Sequence, residues 1–183
     1  LEYDVNKDTM VYLSFTAGYK PGGTNLTYGS DAADGSYSAM VFETFEPEKV
    51  DSMEFGIKSD LYDGKARANI ALFSYDYENL QFQATDPIPY QGGVANIPSS
   101  EMSGVEIEFT ALPTDSITFD MNLGFIDSEV SSDYEVLDNV LAFQYFFGQE
   151  SLRYGLRENV NGNELAKTPD FTADISMTYE TEL

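Results

Sequence analysis

The chain has 183 residues with 9 basic and 32 acidic side chains, no histidine and no cysteine. A net charge of −23 repels phosphate backbones and excludes a nucleic-acid partner. Without His or Cys the usual nucleophile–base pairs, imidazole and thiolate metal sites and disulfide frameworks are absent, so neither an enzyme nor a cofactor is expected. Mean hydropathy is −0.30 and no run of about 18 apolar residues occurs, which excludes a transmembrane helix.

The first predicted strand, Thr9 to Lys20, sets Val11, Leu13, Phe15, Ala17 and Tyr19 on one face and Tyr12, Ser14, Thr16, Gly18 and Lys20 on the other. This period of two marks a strand with one apolar side. A long polar loop, Pro21 to Pro47, follows; within it Asp31 to Ser36 only faintly resembles a calcium loop and reads as a turn. Val50 to Leu61 repeats the alternation, with Met53, Phe55, Ile57 and Leu61 opposing Ser52, Glu54, Gly56 and Lys58. The turn after it contains Asp63-Gly64, a pair that adopts the positive φ values of tight hairpins.

Lys65 to Ala84 is less regular, because Ala66, Ala68, Ile70 and Leu72 form one row while Phe73, Tyr75 and Tyr77 crowd the other. Its neighbours assign it as a strand. Thr85 to Ser100 reads as a second long loop, Ser103 to Leu112 as a strand with Val105, Ile107, Phe109 and Ala111 on its apolar face, and Pro113 to Asp115 as a turn. Ile117 to Phe125 then alternates again; Ser131 to Pro169 is the third long loop, and Phe171 to Tyr179 the last strand.

Short turns at one end and long Gly-, Pro- and Asn-rich loops at the other are the asymmetry of an outer-membrane barrel. Each run is long enough to cross, since a tilted strand needs about 9–11 residues. The expected fold is therefore all-β, an antiparallel transmembrane β-barrel fragment of about six meandering strands. Gly56 and Gly104, inside strands, allow bending or close packing, and Glu54, Lys58, Glu106 and Glu108 share the inward face. The acidic excess solvates loops and lumen; a second reading has acidic loops binding divalent cations at a lipopolysaccharide surface.

Five segments together resemble one family: VYLSFTAGYKPGGTN (11–25), FEPEKVDSMEFGIKSDLYDGK (45–65), NIALFSYDYENLQ (69–81), GVEIEFTALP (104–113) and TPDFTADISMTYE (168–180). In that order they look like the C-terminal half of the barrel of TonB-dependent outer-membrane receptors. The resemblance implies a partial domain over residues 1–183 of a 22-stranded barrel, whose plug domain and final strands are absent from these residues. It also implies a location in the outer membrane of a Gram-negative bacterium, lipid and lipopolysaccharide as surroundings, and energy from the inner-membrane TonB complex through a missing N-terminal part. The implied activity is uptake of a scarce nutrient, foremost a ferric siderophore. A passive porin and a soluble secreted β-sandwich are the alternatives.

Candidate ligand contacts are the loop aromatics Tyr28, Tyr37, Tyr90, Phe143, Tyr145 and Phe146, which stack on flat chelates or sugars. Arg153 and Arg157, with Lys167, form the basic grouping for an anionic chelate. Because an open sheet leaves unsatisfied edges, the 183 residues alone are expected not to form a stable monomer. Urea titration followed by circular dichroism in plain buffer is predicted to show no cooperative transition.

Overall fold

The computed structural model describes residues 1–31, 39–87, 90–138 and 157–181. Eleven strands are present among them: β1 (Glu2–Asn6), β2 (Thr9–Lys20), β3 (Gly23–Thr24), β4 (Thr44–Phe45), β5 (Glu48–Leu61), β6 (Ala66–Pro87), β7 (Tyr90–Thr114), β8 (Ile117–Val130), β9 (Glu135–Leu137), β10 (Arg157–Asn159) and β11 (Phe171–Tyr179). Seven form one antiparallel sheet in the order β1-β2-β5-β6-β7-β8-β11, so strands adjacent in the sheet follow one another along the chain. The short pairs β3–β4 and β9–β10 lie inside two of the three expected loops.

All six expected strands are found, and β1 adds a seventh. Residues 2–6 alternate but are too short a run to announce a spanning strand, yet pairing with β2 extends the apolar row through Leu1, Tyr3 and Val5. The larger difference concerns Thr85 to Ser100, expected as a loop. There β6 and β7 run on as a hairpin, paired from Leu80↔Ile97 to Pro87↔Tyr90. Its Gly, Pro and Gln content reads as loop, but the cross-strand backbone ladder satisfies the peptide groups without a regular apolar face.

Register keeps like with like across the sheet. Tyr12 faces Gly56, Gly56 faces Ala71, Ala71 faces Glu106, Glu106 faces Gly124 and Gly124 faces Thr172. One residue along, Val11, Ile57, Ile70, Ile107, Leu123 and Ala173 form the corresponding apolar row. Among the described residues no second sheet covers that apolar face. Phe55 is 47 % exposed and Ile175 63 %, which excludes the sandwich alternative, where both would be packed in a dry interior.

The apolar band also leans. Its centre on β11 is Ile175, and the register traced back from Ile175 through Met121, Phe109, Ala68 and Ser59 arrives at Thr9, six residues from the band's centre at Phe15 on β2. Most of this offset arises between β2 and β5. Six residues at about 3.4 Å against five interstrand steps of about 4.8 Å give a tilt of roughly 40°, the inclination of strands in membrane barrels.

The irregular strand β6 is explained by its partners. Phe73, Tyr75 and Tyr77 form a column on the polar face, with ring centroids 5.3 and 6.4 Å apart. Phe73 lies over Gly104 and Tyr12 over Gly56, where an added Cβ would collide with the ring in each case. At Gly104 the Cβ would also strike the Phe125 carbonyl. Both glycines therefore serve close packing, as expected from their place inside strands. Around them the Tyr12 hydroxyl donates to Glu54, the Lys58 ammonium sits 5.3 Å from the Tyr12 ring centre, and Asn69 donates to Glu108 at 3.0 Å. Three of the four inward charges named above thus engage neutral neighbours; further along the same inward face Asp60 pairs with Arg67, and the other described ion pairs are Lys7–Asp8 and Lys49–Glu78.

At the β5–β6 turn Asp63 and Gly64 have φ of 57° and 82°, and the Lys65 amide donates to the Tyr62 carbonyl at 3.2 Å. Gly104→Ala is predicted to lower the stability of the sheet by about 1–3 kcal/mol through overpacking against backbone. Gly92→Ala, whose nearest neighbour would be 3.8 Å away, is predicted to be nearly neutral. Denaturant titration in lipid vesicles compares the two.

Candidate functional site

The candidate site is the loop assembly at the end of the sheet carrying the long connections, and it is organised by the β6–β7 extension. The ladder is interrupted once, where Asn79 (φ 57°) stands opposite Pro98. Pro98 has no amide to donate, and the Asn96 side chain compensates by donating to the Asn79 carbonyl at 2.8 Å. Beyond this point the hairpin supplies a platform for loops from both sides.

Three side-chain amides fasten the Pro21–Pro47 connection to that platform. Asn25 donates to the carbonyls of Phe42 and Val94 at 2.8 and 2.9 Å and accepts from the Val94 amide at 2.9 Å. Asn96 accepts from the Glu46 amide at 2.8 Å and donates to the Glu46 carbonyl at 3.1 Å. Gln81 donates to the carbonyls of Pro21 and Glu46 at 3.0 and 3.1 Å. An amide carries both donor and acceptor, so it copies a strand's pairing edge where no strand is present.

A small apolar cluster completes the junction. Met40, Val41, Ala84 and Ala95 are buried together, with Phe82, Tyr134 and Val136 packed against them. Phe82 and Tyr134 meet edge to face at 5.8 Å. Val41 belongs to the connection after β3, Ala84 and Ala95 to the hairpin, and Tyr134 and Val136 to the region of β9. Two loops distant in sequence therefore share one core on the hairpin. Gly93 makes this possible, because a Cβ there would run into Val41 and Asn25.

Of the expected ligand contacts, Tyr28 lies in the β3–β4 connection and is 46 % exposed, next to Gly29, whose amide donates to the Val41 carbonyl at 2.9 Å. Arg157 opens β10 opposite Leu137. Tyr90 begins β7 opposite Pro87, so it belongs to a strand rather than to the loop in which it was expected. Tyr37, Phe143, Tyr145, Phe146 and Arg153 lie outside the described residues, as does most of the Asp31–Ser36 turn. The structure thus attaches the segments of Tyr28 and Arg157 to one platform. Asn25, Gln81 and Asn96, which do the attaching, were missed because an amide in a polar loop has no sequence pattern that separates it from solvated neighbours. Among the described residues no group of three or more acidic side chains is placed to hold a metal ion.

Asp133, just after β8, accepts from the side chains of Asn159 and Asn161, both at 3.1 Å. These two bonds hold its carboxyl below the usual carboxylate range.

Comparison with known proteins decides the family. Residues 1–183 match the TonB dependent receptor-like, beta-barrel family. The chain belongs to that family. Its members are transporters rather than enzymes. The probable TonB-dependent siderophore receptor PiuA of Acinetobacter baumannii is 23 % identical over 173 residues, covering 93 % of this chain and 20 % of that protein. The crystal structure of PiuA superposes with a TM-score of 0.63 at 21 % identity, covering 97 % of this chain and 22 % of PiuA. The ferric yersiniabactin uptake receptor FyuA of Yersinia pestis gives 0.62 at 20 % identity, over 96 % of this chain and 21 % of FyuA. The chain spans about a fifth of these relatives. At such identities the superpositions establish the shared fold: an antiparallel barrel wall, not closed within these residues.

Two outcomes follow. Asn25→Ala leaves the Val94 amide without its acceptor and is predicted to destabilise the junction by about 1–3 kcal/mol, seen as faster hydrogen exchange at Val94. For Asp133 the folded value is depressed, so its contribution is present above the ordinary carboxylate range and is lost as pH falls through the folded value. Exchange protection of β9 and β10 is predicted to hold from neutral pH through that range and to drop only below it, and Asp133→Asn is predicted to remove this acid step.

Proposed function

We propose that these residues are part of the barrel wall of an outer-membrane receptor that takes up ferric siderophores by active transport. On this reading residues 1–183 are a partial barrel domain. A plug and the closing strands lie elsewhere in the full-length protein, in the outer membrane of a Gram-negative bacterium, surrounded by lipid and lipopolysaccharide. The TonB complex supplies energy through the N-terminal part.

The observation that carries this reading is the family match over the whole chain, together with relatives that are siderophore receptors. The geometry supports it as well. A cargo held outside a barrel needs loops of defined position, and the shared hairpin platform gives the segments of Tyr28 and Arg157 such a position. In this proposal Tyr28, Tyr37, Tyr90, Phe143 and Tyr145 contact the flat faces of the chelate, and Arg153 and Arg157 meet its negative charge. A porin has no use for an energised receptor's architecture, and the family match favours the receptor over that alternative.

A strain lacking the full-length gene, grown under iron limitation and supplied with radiolabelled ferric siderophores, is predicted to lose at least tenfold in uptake of one of them. Uptake in the complemented strain is predicted to vanish when TonB is removed. Undiminished uptake of every ferric siderophore tested contradicts the proposed cargo.

A further inference from the structure

The apolar face ends at a row of carboxylates that no single strand reveals. On that face Asp51 stands opposite Asp76, Asp76 opposite Glu101 and Glu101 opposite Glu129, and all four residues are exposed. Four residues nearer the short turns, the corresponding row is Leu13, Phe55, Leu72, Val105, Phe125 and Phe171. Between them lies a mixed row of Phe15, Met53, Ser74, Ser103 and Asp127. Beyond the carboxylates Lys49 and Glu78 form an ion pair at 3.0 Å on the same face, so the polar character persists.

Directly opposed like charges are unfavourable even in water, and a carboxylate in hydrocarbon adds a cost of order kcal/mol. Four in a row across adjacent strands are tolerable only where water or hydrated head groups reach them. The arrangement is not a metal site, since no group of acidic side chains among the described residues is placed around an ion. By contrast, the named apolar rows from Phe55, Leu72, Val105, Phe125 and Phe171 towards the short turns hold no charged side chain. The band from Phe171 to Tyr179, eight residues at about 3.4 Å and tilted by roughly 40°, rises about 20 Å along the membrane normal, close to the apolar height of such barrels.

We propose that the hydrocarbon of the outer leaflet ends between these two rows, so that Asp51, Asp76, Glu101 and Glu129 stand at the level of the lipid head groups. The inference rests on the reading of the chain as a barrel wall and adds where lipid stops. Because the strands lean, Asp51 sits lowest in the row and Glu129 highest, which agrees with the apolar row on β2 continuing to Ala17 and Tyr19. The β6–β7 hairpin then continues for eleven residues beyond Asp76 to Pro87, about 35 Å of strand standing in extracellular water. The loop junction is therefore held clear of the membrane, where an aqueous cargo first arrives.

The test uses the full-length receptor, cysteine-free apart from one introduced label site, in phospholipid vesicles. Nitroxide labels are placed by Phe55→Cys, Val105→Cys and Phe125→Cys, and by Asp51→Cys, Glu101→Cys and Glu129→Cys. Leu72→Cys and Asp76→Cys form a reserve pair in case a variant fails to fold. On each strand the label of the first set is expected to collide more with oxygen and that of the second more with a water-soluble nickel chelate, the ratio changing at least fivefold within each pair: Phe55 with Asp51, Val105 with Glu101 and Phe125 with Glu129. Lipid-like values in both rows would overturn the boundary and leave the barrel reading standing. Water-like values in both rows would overturn the barrel reading together with the boundary.

Discussion

An antiparallel ladder joins residues only in fixed opposition, and the whole structure depends on that. From β2 through β11 the register passes from strand to strand without a slip over the alternating segments. A slip of one residue would turn every side chain of a strand to the other face. Lys58, Glu106 and Glu108 would then lie among Ile57, Ile107 and Leu123, and no short-range contact would repair the exchange. Register thus converts a local habit of the chain, apolar then polar, into two surfaces of opposite chemistry across six strands.

The polar surface has its own packing rule. Wide barrels leave their inner side chains without a dense core, and here large rings cover glycines on the neighbouring strand: Tyr12 over Gly56 and Phe73 over Gly104. Each pair fills a backbone gap with aromatic area and fixes the lateral position of a strand that hydrogen bonds alone would let twist. At the upper end the same task falls to amides. Asn25, Gln81 and Asn96 bind loop backbone to strand backbone with the donor–acceptor pattern of a strand edge. The resulting junction needs only a few apolar residues to close, with Val41 at its centre.

How much of this could be read from residues alone follows from the range of each interaction. Strand β2 was legible to its terminal residues, because its pattern depends on nothing but period-two burial. Strand β6 was ambiguous, since the rings of Phe73, Tyr75 and Tyr77 are housed by Gly104 and by residues on β5 and β7, none of them nearby in sequence. Residues 85–100 were misread as a loop because their stability comes from the cross-strand backbone ladder and from loops that pack on it, not from an apolar face. Among the candidate contacts, Tyr28 and Arg157 were identified by chemistry as aromatic and basic loop residues, but the platform that brings their segments together depends on Asn25 and Gly93. Neither residue differs in sequence from an ordinary turn former.

The most direct measurement of the central claim is a cysteine scan along β8 from Phe119 to Ile126 in the full-length receptor embedded in membranes, using a charged thiol reagent that does not enter lipid. The account predicts a reactivity that alternates from Phe119 to Leu123, with Asp120 and Asn122 modified and Phe119, Met121 and Leu123 protected. Uniform reactivity, or alternation of the opposite phase, would contradict it.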